Sequence, residues 1–541
     1  MLFNSYEYIL AFLPITVLVF LLVGNTSKSW ALNWLILASV FFYAWWRPFN
    51  LLIIGPSLLV NFAVARALLS LAADQSRSRT KNVMLALGIV FNLAVLGFFK
   101  YANFSVTVAN DLAGTDFVFE RIILPLGISF ITFQKIAFLI DVAGRRVQSF
   151  TVREFLLFVM FFPQLIAGPI VHFREMMPQF RQAPCRFDAP AYAAGLTLFC
   201  FGLFKKVVLA DGMAEYVSPV YAFAAAGQTA TFLQSWIAAV GFTLQIYFDF
   251  AGYSDMACGA ALFFGVRLPV NFDSPLQTTN IIDFWARWHK TLTRFLTAYI
   301  FNPLALAMTR RRAAKGLPTL MARRSHSTAF LVVLSGPTLA TMLLSGLWHG
   351  AGYTFLLWGL MHGFYLVVNH AWRQYGPQTT GPAGAGTHVA NFLGFALTFL
   401  VVAVAMVFFR APDISSAIEI LKGMTGLHGM GLPERIAAMI GTPGLGPMML
   451  LDGAVHLRTF ATGVTYLAGL LVIALLMPNS LQVLFAYQPA LEAPTRPSRL
   501  AIVGPLVRWR PTVFWIVLIG SLVAISMIRL TGKSEFLYWQ F

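Results

Sequence analysis

Apolar positions along this chain do not alternate with polar ones; they come in long runs separated by short polar stretches. About 20 apolar residues in a row suffice to cross the hydrocarbon core of a bilayer. With no water there to satisfy backbone polar groups, such runs predict helices, not an open sheet or a barrel. The runs fall at about 7–24, 31–47, 50–71, 83–99, 122–142, 190–210, 232–250 (with a short apolar extension to Val266), 329–348, 353–371, 389–408, 459–477 and 513–529. About a dozen runs of that kind describe an all-α, polytopic membrane protein. The first run lacks a basic flank and a small-residue cleavage site, so it reads as a retained helix.

Several stretches depart from this pattern. Residues 155–170 are interrupted by Pro163-Gln164 and Gly168-Pro169, and proline removes a backbone donor. That segment is expected to be broken or re-entrant and to line a cavity, where irregular backbone is tolerated at membrane depth. The stretch 281–296 mixes tryptophan with basic residues and reads as an interfacial helix. At helical spacing Asp283 and Arg287 could pair while Trp285 and His289 share a neighbouring face, and Asn280 or Thr279 could cap its start. Between Pro412 and His456 runs a Gly/Met/Pro-rich connection with one amphipathic piece, 414–424. The Tyr101–Glu120 stretch reads as a more neutral outer loop, and no strong internal repeat is visible.

Composition agrees with the pattern: 58% of residues are hydrophobic and 11% charged, against about 25% charged in an ordinary soluble domain. The net charge of +17 could suggest nucleic acid, but no soluble basic domain exists to carry that function. Basic residues instead cluster in short connections at 74–81, 145–146 and 310–324, which is the signature of cytoplasmic loops. Counting back three spans from the first places the N-terminus outside. The 310–324 cluster would also suit an anionic lipid or cofactor, although orientation alone accounts for it. Cys185, Cys200 and Cys258 have no metal spacing, so neither a zinc site nor a disulfide framework is read from them.

The candidate chemistry centres on His349, in Ser345-Gly-Leu-Trp-His-Gly-Ala-Gly352. An ionisable group inside an apolar run is a functional-site candidate by default, and histidine trades protons near neutral pH. Gly346, Gly350 and Gly352 would let the backbone bend and a substrate approach closely. A packed histidine bonded to a carbonyl at a helix end fits this octapeptide equally well. Asp249 and Asp255, with Tyr253 and Ser254 between them, sit in apolar surroundings as either hydrogen-bonded structural groups or the lining of a substrate path. His172 reads as a solvated loop residue.

Five motifs in order, Pro125-Leu-Gly-Ile-Ser-Phe, Phe162-Pro-Gln-Leu-Ile-Ala-Gly-Pro169, Phe248-Asp-Phe-Ala-Gly-Tyr-Ser-Asp255, Asp283-Phe-Trp-Ala-Arg-Trp-His289 and Leu347-Trp-His-Gly350, resemble the membrane-bound O-acyltransferases. Within them the chain is most similar to the bacterial branch that includes the alginate O-acetyltransferase membrane subunit and the teichoic acid D-alanyl transfer protein. The terminal Phe536-Leu-Tyr-Trp-Gln-Phe541 looks like that branch's ending, while 310–325 and 425–457 carry little recognisable pattern.

The resemblance implies one membrane domain over 1–541, with core motifs at about 120–370 and C-terminal helices at about 389–530, built as a ring of tilted helices around a tunnel. His349 would correspond to the family's invariant histidine and His289 to its second, more variable polar position. As a mechanism, neutral His349 is expected to take the proton of the attacking hydroxyl, with His289 or donors near it orienting the thioester or its oxyanion. Trp285, Trp288 and Trp348 would wall off water; Asp283 and Arg287 would fix their helix; Gln164, Asp249, Tyr253, Ser254 and Asp255 are the remaining substrate-path candidates. An acyl-enzyme on Ser345 is less favoured, because no triad spacing is visible.

The implied donor is acetyl-CoA or another short acyl thioester, used as substrate with no bound cofactor or metal. The implied acceptor is an exported polysaccharide or a partner protein. Expected partners are periplasmic or membrane-anchored polysaccharide acetylation proteins, membrane lipid and an acyl carrier, in the bacterial inner membrane. Two rival readings from other classes are a polymer or small-molecule transporter without transferase chemistry and a scaffold that anchors a soluble acetyltransferase.

Overall fold

The computed structural model describes residues 1–541 except 74, 121, 183–184, 322–323, 378–384, 432–456, 493–506, 531–536 and 538–541. Among the described residues every regular element is helical, as the uninterrupted apolar runs require. Six helices among the described residues are long and apolar enough to cross a membrane: Glu7–Gly24, Asn50–Ala72, Ser78–Ala113, Ala189–Ala225, Ser327–His349 and His388–Arg410. Ala461–Leu476 and Val513–Arg529 are shorter apolar helices. Other runs form helices that are somewhat shorter, such as Lys28–Ala44 at 17 residues, or packed inside the protein. In Ile128–Ala143, for example, every residue but Ile140 is buried.

Long helices are interrupted by π-helical turns at Glu7–Phe12, Gly97–Tyr101, Lys205–Ala210, Thr297–Phe301 and Phe330–Ser335. Such turns widen a helix locally and re-aim its side chains. The one at Gly97–Tyr101 carries its helix on to Ala113, ended by Gly114 in the left-handed region at φ 63°. Most of the expected outer loop at 101–120 is therefore helix. The basic cluster is likewise not all loop, since Arg310, Arg311 and Arg312 lie on Asn302–Ala314. The other punctuation reads as expected: Thr151 and Glu154 form a capping box before Val152–Met160, and the chain then breaks around the buried turn Phe162–Leu165. Asp413 caps the amphipathic Ile414–Met424.

The centre of the molecule is one 31-residue helix, Phe232–Leu262. The sequence pattern suggests two pieces separated by the polar 249–255 stretch; the helix instead runs straight through, because those polar groups find partners on its neighbours. It packs against Ala189–Phe204 along a glycine seam. A Cβ on Gly202 would overlap the Gly252 carbonyl, and one on Gly259 the Gly195 carbonyl. In each helix the pair lies seven residues apart, on one stripe, and small residues of this kind let membrane helices approach backbone to backbone.

The closeness brings consecutive lysines of the Lys205–Ala210 turn to the central helix. Lys206 Nζ lies 2.6 Å from Asp249 and 2.7 Å from Asp211, and Lys205 Nζ lies 2.7 Å from Asp255. Ser480 Oγ donates to Asp255 at 2.5 Å, and the Leu537 amide donates to Asp249 at 3.3 Å. Removing one member of a buried pair leaves an uncompensated charge, so these groups tie the C-terminal part of the chain to the core. Tyr253, one turn along from Asp249, stacks on Phe3 at 4.7 Å. The rest of the terminal motif lies outside the described residues.

The seam can be tested by substitution. Gly202→Ala should lose about 1–3 kcal/mol through overpacking, read as a lowered thermal-unfolding midpoint in detergent. Gly55→Ala, whose Cβ would meet nothing within 4 Å, should lose none.

Candidate active site

His349 is the last residue of Gly336–His349, and Gly350 follows in an extended conformation at φ -156°. Gly352 is also extended, and Tyr353–Tyr375 then returns along the first helix. The two helices touch through their backbones: a Cβ on Gly346 would overlap Phe355 O, one on Gly359 would overlap Met342 O, and one on Gly350 would overlap the Phe355 ring. The space beside Gly346 and Gly350 is thus filled by the partner helix, and is not left for a substrate.

The last carbonyls of a helix lack intrahelical partners. Here they are met by the Gly97–Tyr101 turn. Lys100 Nζ donates to Trp348 O and, at 3.3 Å, to His349 O, while Tyr101 Oη donates to Leu347 O at 2.9 Å. A cation at a helix C-terminus also suits the helix dipole. The same ammonium stands 5.8 Å from the Trp348 ring centroid.

His289 reaches the site by a different route from the one its spacing suggests. The 281–296 stretch is not one interfacial helix. Ile281–Trp285, capped by Asn280, ends after five residues, and Lys290–Leu296 begins after His289, which sits in the left-handed region at φ 43°. A non-glycine residue held there marks a constrained position. The stretch is also interior, with Trp285, Trp288 and His289 all buried. Asp283 and Arg287 do pair, at 3.2 Å, but the break carries His289 off the face it would share with Trp285.

A directed network fixes the His289 ring. The Ile170 amide donates to Thr291 Oγ1 at 3.0 Å, and Thr291 Oγ1 donates to Asn271 Oδ1 at 2.6 Å. Asn271 Nδ2 donates to Ser254 Oγ at 3.1 Å. The same Oδ1 lies 3.3 Å from His289 Nδ1. With the amide in this orientation its oxygen can only accept, which assigns the hydrogen of the neutral ring to Nδ1 and the lone pair to Nε2. Ser254 therefore acts two bonds away from the imidazole.

The rings form one continuous cluster. His349 lies 6.4 Å from His289, 4.9 Å from Trp348, 5.0 Å from Trp358 and 5.3 Å from Phe409, centroid to centroid. Trp358 continues to His362 at 4.8 Å, and Trp285 meets Trp358 at 5.8 Å and His362 at 5.2 Å. His289 and His362 are completely buried, and His349 is 4% exposed. Trp285 and Thr291 also line a cavity of about 420 Å³, together with Lys290, Arg294 and Glu492. Lys290 pairs with Glu492 at 2.7 Å and Arg294 with Glu175 at 2.8 Å.

Of the residues singled out from sequence, His349, His289, Trp348, Trp285 and Trp288 come together here, with Asp283 and Arg287 at the edge. Asp249, Asp255 and Tyr253 lie in the central-helix seam, and Gln164 donates to Phe158 O at 2.6 Å inside the broken segment. His172 is half-buried and bonded to Tyr299 at 3.3 Å, not a freely solvated loop residue. Asn271, Thr291, Lys100, Trp358 and His362 escape a sequence reading. His362 and Lys100 carry a signal that could have found them, an ionisable group inside or at the end of an apolar run.

Buried imidazoles walled by tryptophan, at the end of a helix long and apolar enough to cross a membrane, form the candidate site. The chain belongs to the membrane-bound O-acyltransferase family, as the ordered motifs imply, and is an acyltransferase. The model described as MBOAT, membrane-bound O-acyltransferase family, matches residues 139–322. The chain is 39% identical to a peptidoglycan O-acetyltransferase of Helicobacter pylori, over 80% of this chain and 81% of that protein. It is 34% identical to a probable alginate O-acetylase of Pseudomonas aeruginosa, over 80% of this chain and 76% of that protein. A teichoic acid D-alanyltransferase of Streptococcus thermophilus is 28% identical over 46% of this chain and 57% of its own length.

Lys100→Met should remove about 1–2 kcal/mol of stability by uncapping the helix that ends at His349, measured as a lower thermal-unfolding midpoint. Tyr101→Phe, which deletes one hydroxyl, should lose about 1 kcal/mol.

Proposed function

We propose that this protein is an O-acetyltransferase that passes an acyl group from a cytoplasmic thioester, acetyl-CoA or an acyl carrier, to hydroxyls of an exported polysaccharide or a partner acetylation protein. In this reading the whole chain works as one membrane domain around a tunnel, in the bacterial inner membrane with the N-terminus on the periplasmic side. The observation that carries it is the juxtaposition of His289 and His349, ring centroids 6.4 Å apart, inside an aromatic enclosure beside a cavity. The names of the peptidoglycan and alginate relatives support a polysaccharide acceptor.

Acyl transfer to a hydroxyl needs a group to take the proton and exclusion of the water that would hydrolyse the donor. His349 is the proposed base. His289, with Nδ1–H committed to Asn271, presents a lone pair at Nε2; it suits accepting a proton from the hydroxyl or holding that hydroxyl in place, not donating to an oxyanion. The cavity beside Trp285 and Thr291 is the proposed approach of the thioester arm, with the cationic Lys290 and Arg294 among its lining. The transport reading has no comparable support, since Asp249 and Asp255, its intramembrane carboxylates, are held by Lys206 and Lys205.

His349→Ala should abolish transfer of radiolabel from acyl thioester to exported polymer in membranes containing normal amounts of protein; transfer at the parent level refutes the proposal. Asn271→Leu, which releases the His289 ring, should lower transfer roughly 100-fold, as misplacement of a catalytic group can, and Thr291→Val should lower it less.

A further inference from the structure

The site described so far holds proton acceptors but lacks an assigned electrophile. The tetrahedral species of acyl transfer carries an oxyanion, and donors aimed at it supply a large share of the rate. With His289 Nδ1–H already given to Asn271, the donors must come from elsewhere. Trp358 Nε1 and both ring nitrogens of His362 are buried with no hydrogen-bond partner among the described residues. The two residues are four apart on Tyr353–Tyr375 and therefore share one face. Their rings stand 4.8 Å apart, and Trp358 meets His349 edge-on at 5.0 Å and 84°. On the other side both touch Trp285, which lines the cavity.

Indole offers a donor and nothing else, and neutral imidazole offers one donor. Two buried donors without acceptors carry a desolvation cost that the folded chain does not offset. Nearby Asn271, Thr291 and Ser254 are bonded to one another, while the indole N–H groups of Trp285 and Trp348 also lack partners among the described residues. A ligand that brings only an acceptor oxygen against the Trp358 and His362 rings would complete both donors.

We propose that Trp358 and His362 form the carbonyl-binding site of the acyl donor, giving hydrogen bonds to its thioester oxygen and to the oxyanion that follows. The inference rests on the acyl-transfer reading. As the acceptor hydroxyl attacks, its oxygen bonds to the carbonyl carbon, its proton passes to His349, and the carbonyl electron pair moves onto the oxygen held by Trp358 Nε1–H and His362 N–H. When that pair returns, the C–S bond breaks, and the thiolate leaves and takes the proton back from His349. No oxidant, reductant or metal is consumed.

The test uses full-length protein in membranes, radiolabelled acetyl-CoA as the probe, and polymer-bound label as the readout, with His349→Ala alongside. Trp358→Phe and His362→Leu should each lower the apparent kcat by roughly 10²–10³-fold, as for loss of an oxyanion donor, with the apparent KM for acetyl-CoA within about threefold. His362→Gln, which restores a donor, should recover part of the loss. Should Trp358→Phe fail to fold, 3-benzothienylalanine at 358 keeps the ring's shape and replaces only the N–H. Parent-level kcat in the Trp358 variants and in His362→Leu, with His349→Ala inactive, overturns this proposal alone. Transfer that survives His349→Ala overturns the acyl-transfer reading beneath it. A rise in KM with kcat unchanged would make the pair a ground-state binding feature and also overturns the assignment.

Discussion

The geometry around the histidines depends on the contact between two helical backbones at Gly346 and Gly359. Side chains at those positions would hold Gly336–His349 and Tyr353–Tyr375 apart, since each Cβ would overlap a carbonyl of the other helix. Because both are glycine, the helices close to backbone contact, and the returning helix places Trp358 edge-on to His349 and His362 one turn further along. The contact has to be close because aromatic pairs work at centroid separations of about 4.5–7 Å, a range that an added side-chain layer would exceed. The Gly202–Gly252 and Gly195–Gly259 seam does the same for the central helix and its carboxylates. In a bilayer, where lipid tails are as apolar as leucine, such packing is what holds helices to one another.

Once the backbones are close, polar groups in the interior need partners that arrive without water. The structure meets this with two directed systems. One is ionic, with Lys205 and Lys206 spanning Asp255, Asp249 and Asp211. The other is neutral and runs from the Ile170 amide through Thr291 and Asn271 to His289. The difference matters for chemistry. An ion pair buried in a seam fixes position and has no proton free to exchange, whereas the amide of Asn271 dictates which nitrogen of His289 carries its hydrogen and so decides what the ring can do. Ile170 belongs to the broken Gly168-Pro169 stretch, so the irregular backbone that proline enforces supplies a free amide to this chain.

Much of the architecture was legible because it rests on local signals. Pro163 and Pro169 announce the break, Asn280 and Asp413 cap the helices they precede, and the apolar runs mark the long helices. The failures share one cause, tertiary contacts overriding local pattern. The Asp249–Asp255 stretch looks like a helix end until the lysines that neutralise it are seen on another element. The 281–296 stretch has helical spacing throughout, yet the interior network takes His289 into the left-handed region and splits it. Residues 101–113 look like a loop because their polar side chains face outward from a helix that a π-turn extends. Trp358 reads as one apolar residue among many, and Asn271 as a loop residue; only their neighbours in space make them notable.

A dry chamber poses a problem of access, since imidazoles that are buried, His349 at 4% exposure, meet a substrate only after side chains give way. The rings that stand between the 420 Å³ cavity and His349 are Trp285 and Trp358. Their indole nitrogens are among the groups without a hydrogen-bond partner in the described structure, so turning either ring forfeits dispersion contacts but breaks no hydrogen bond there. A wall of satisfied polar groups would charge roughly 1–3 kcal/mol for each group stranded; a wall of unbonded indoles yields more cheaply and closes again on apolar contact. The same unpartnered donors that would receive a carbonyl oxygen thus also make the wall easy to open, and water exclusion, substrate entry and oxyanion binding become consequences of one choice of side chain.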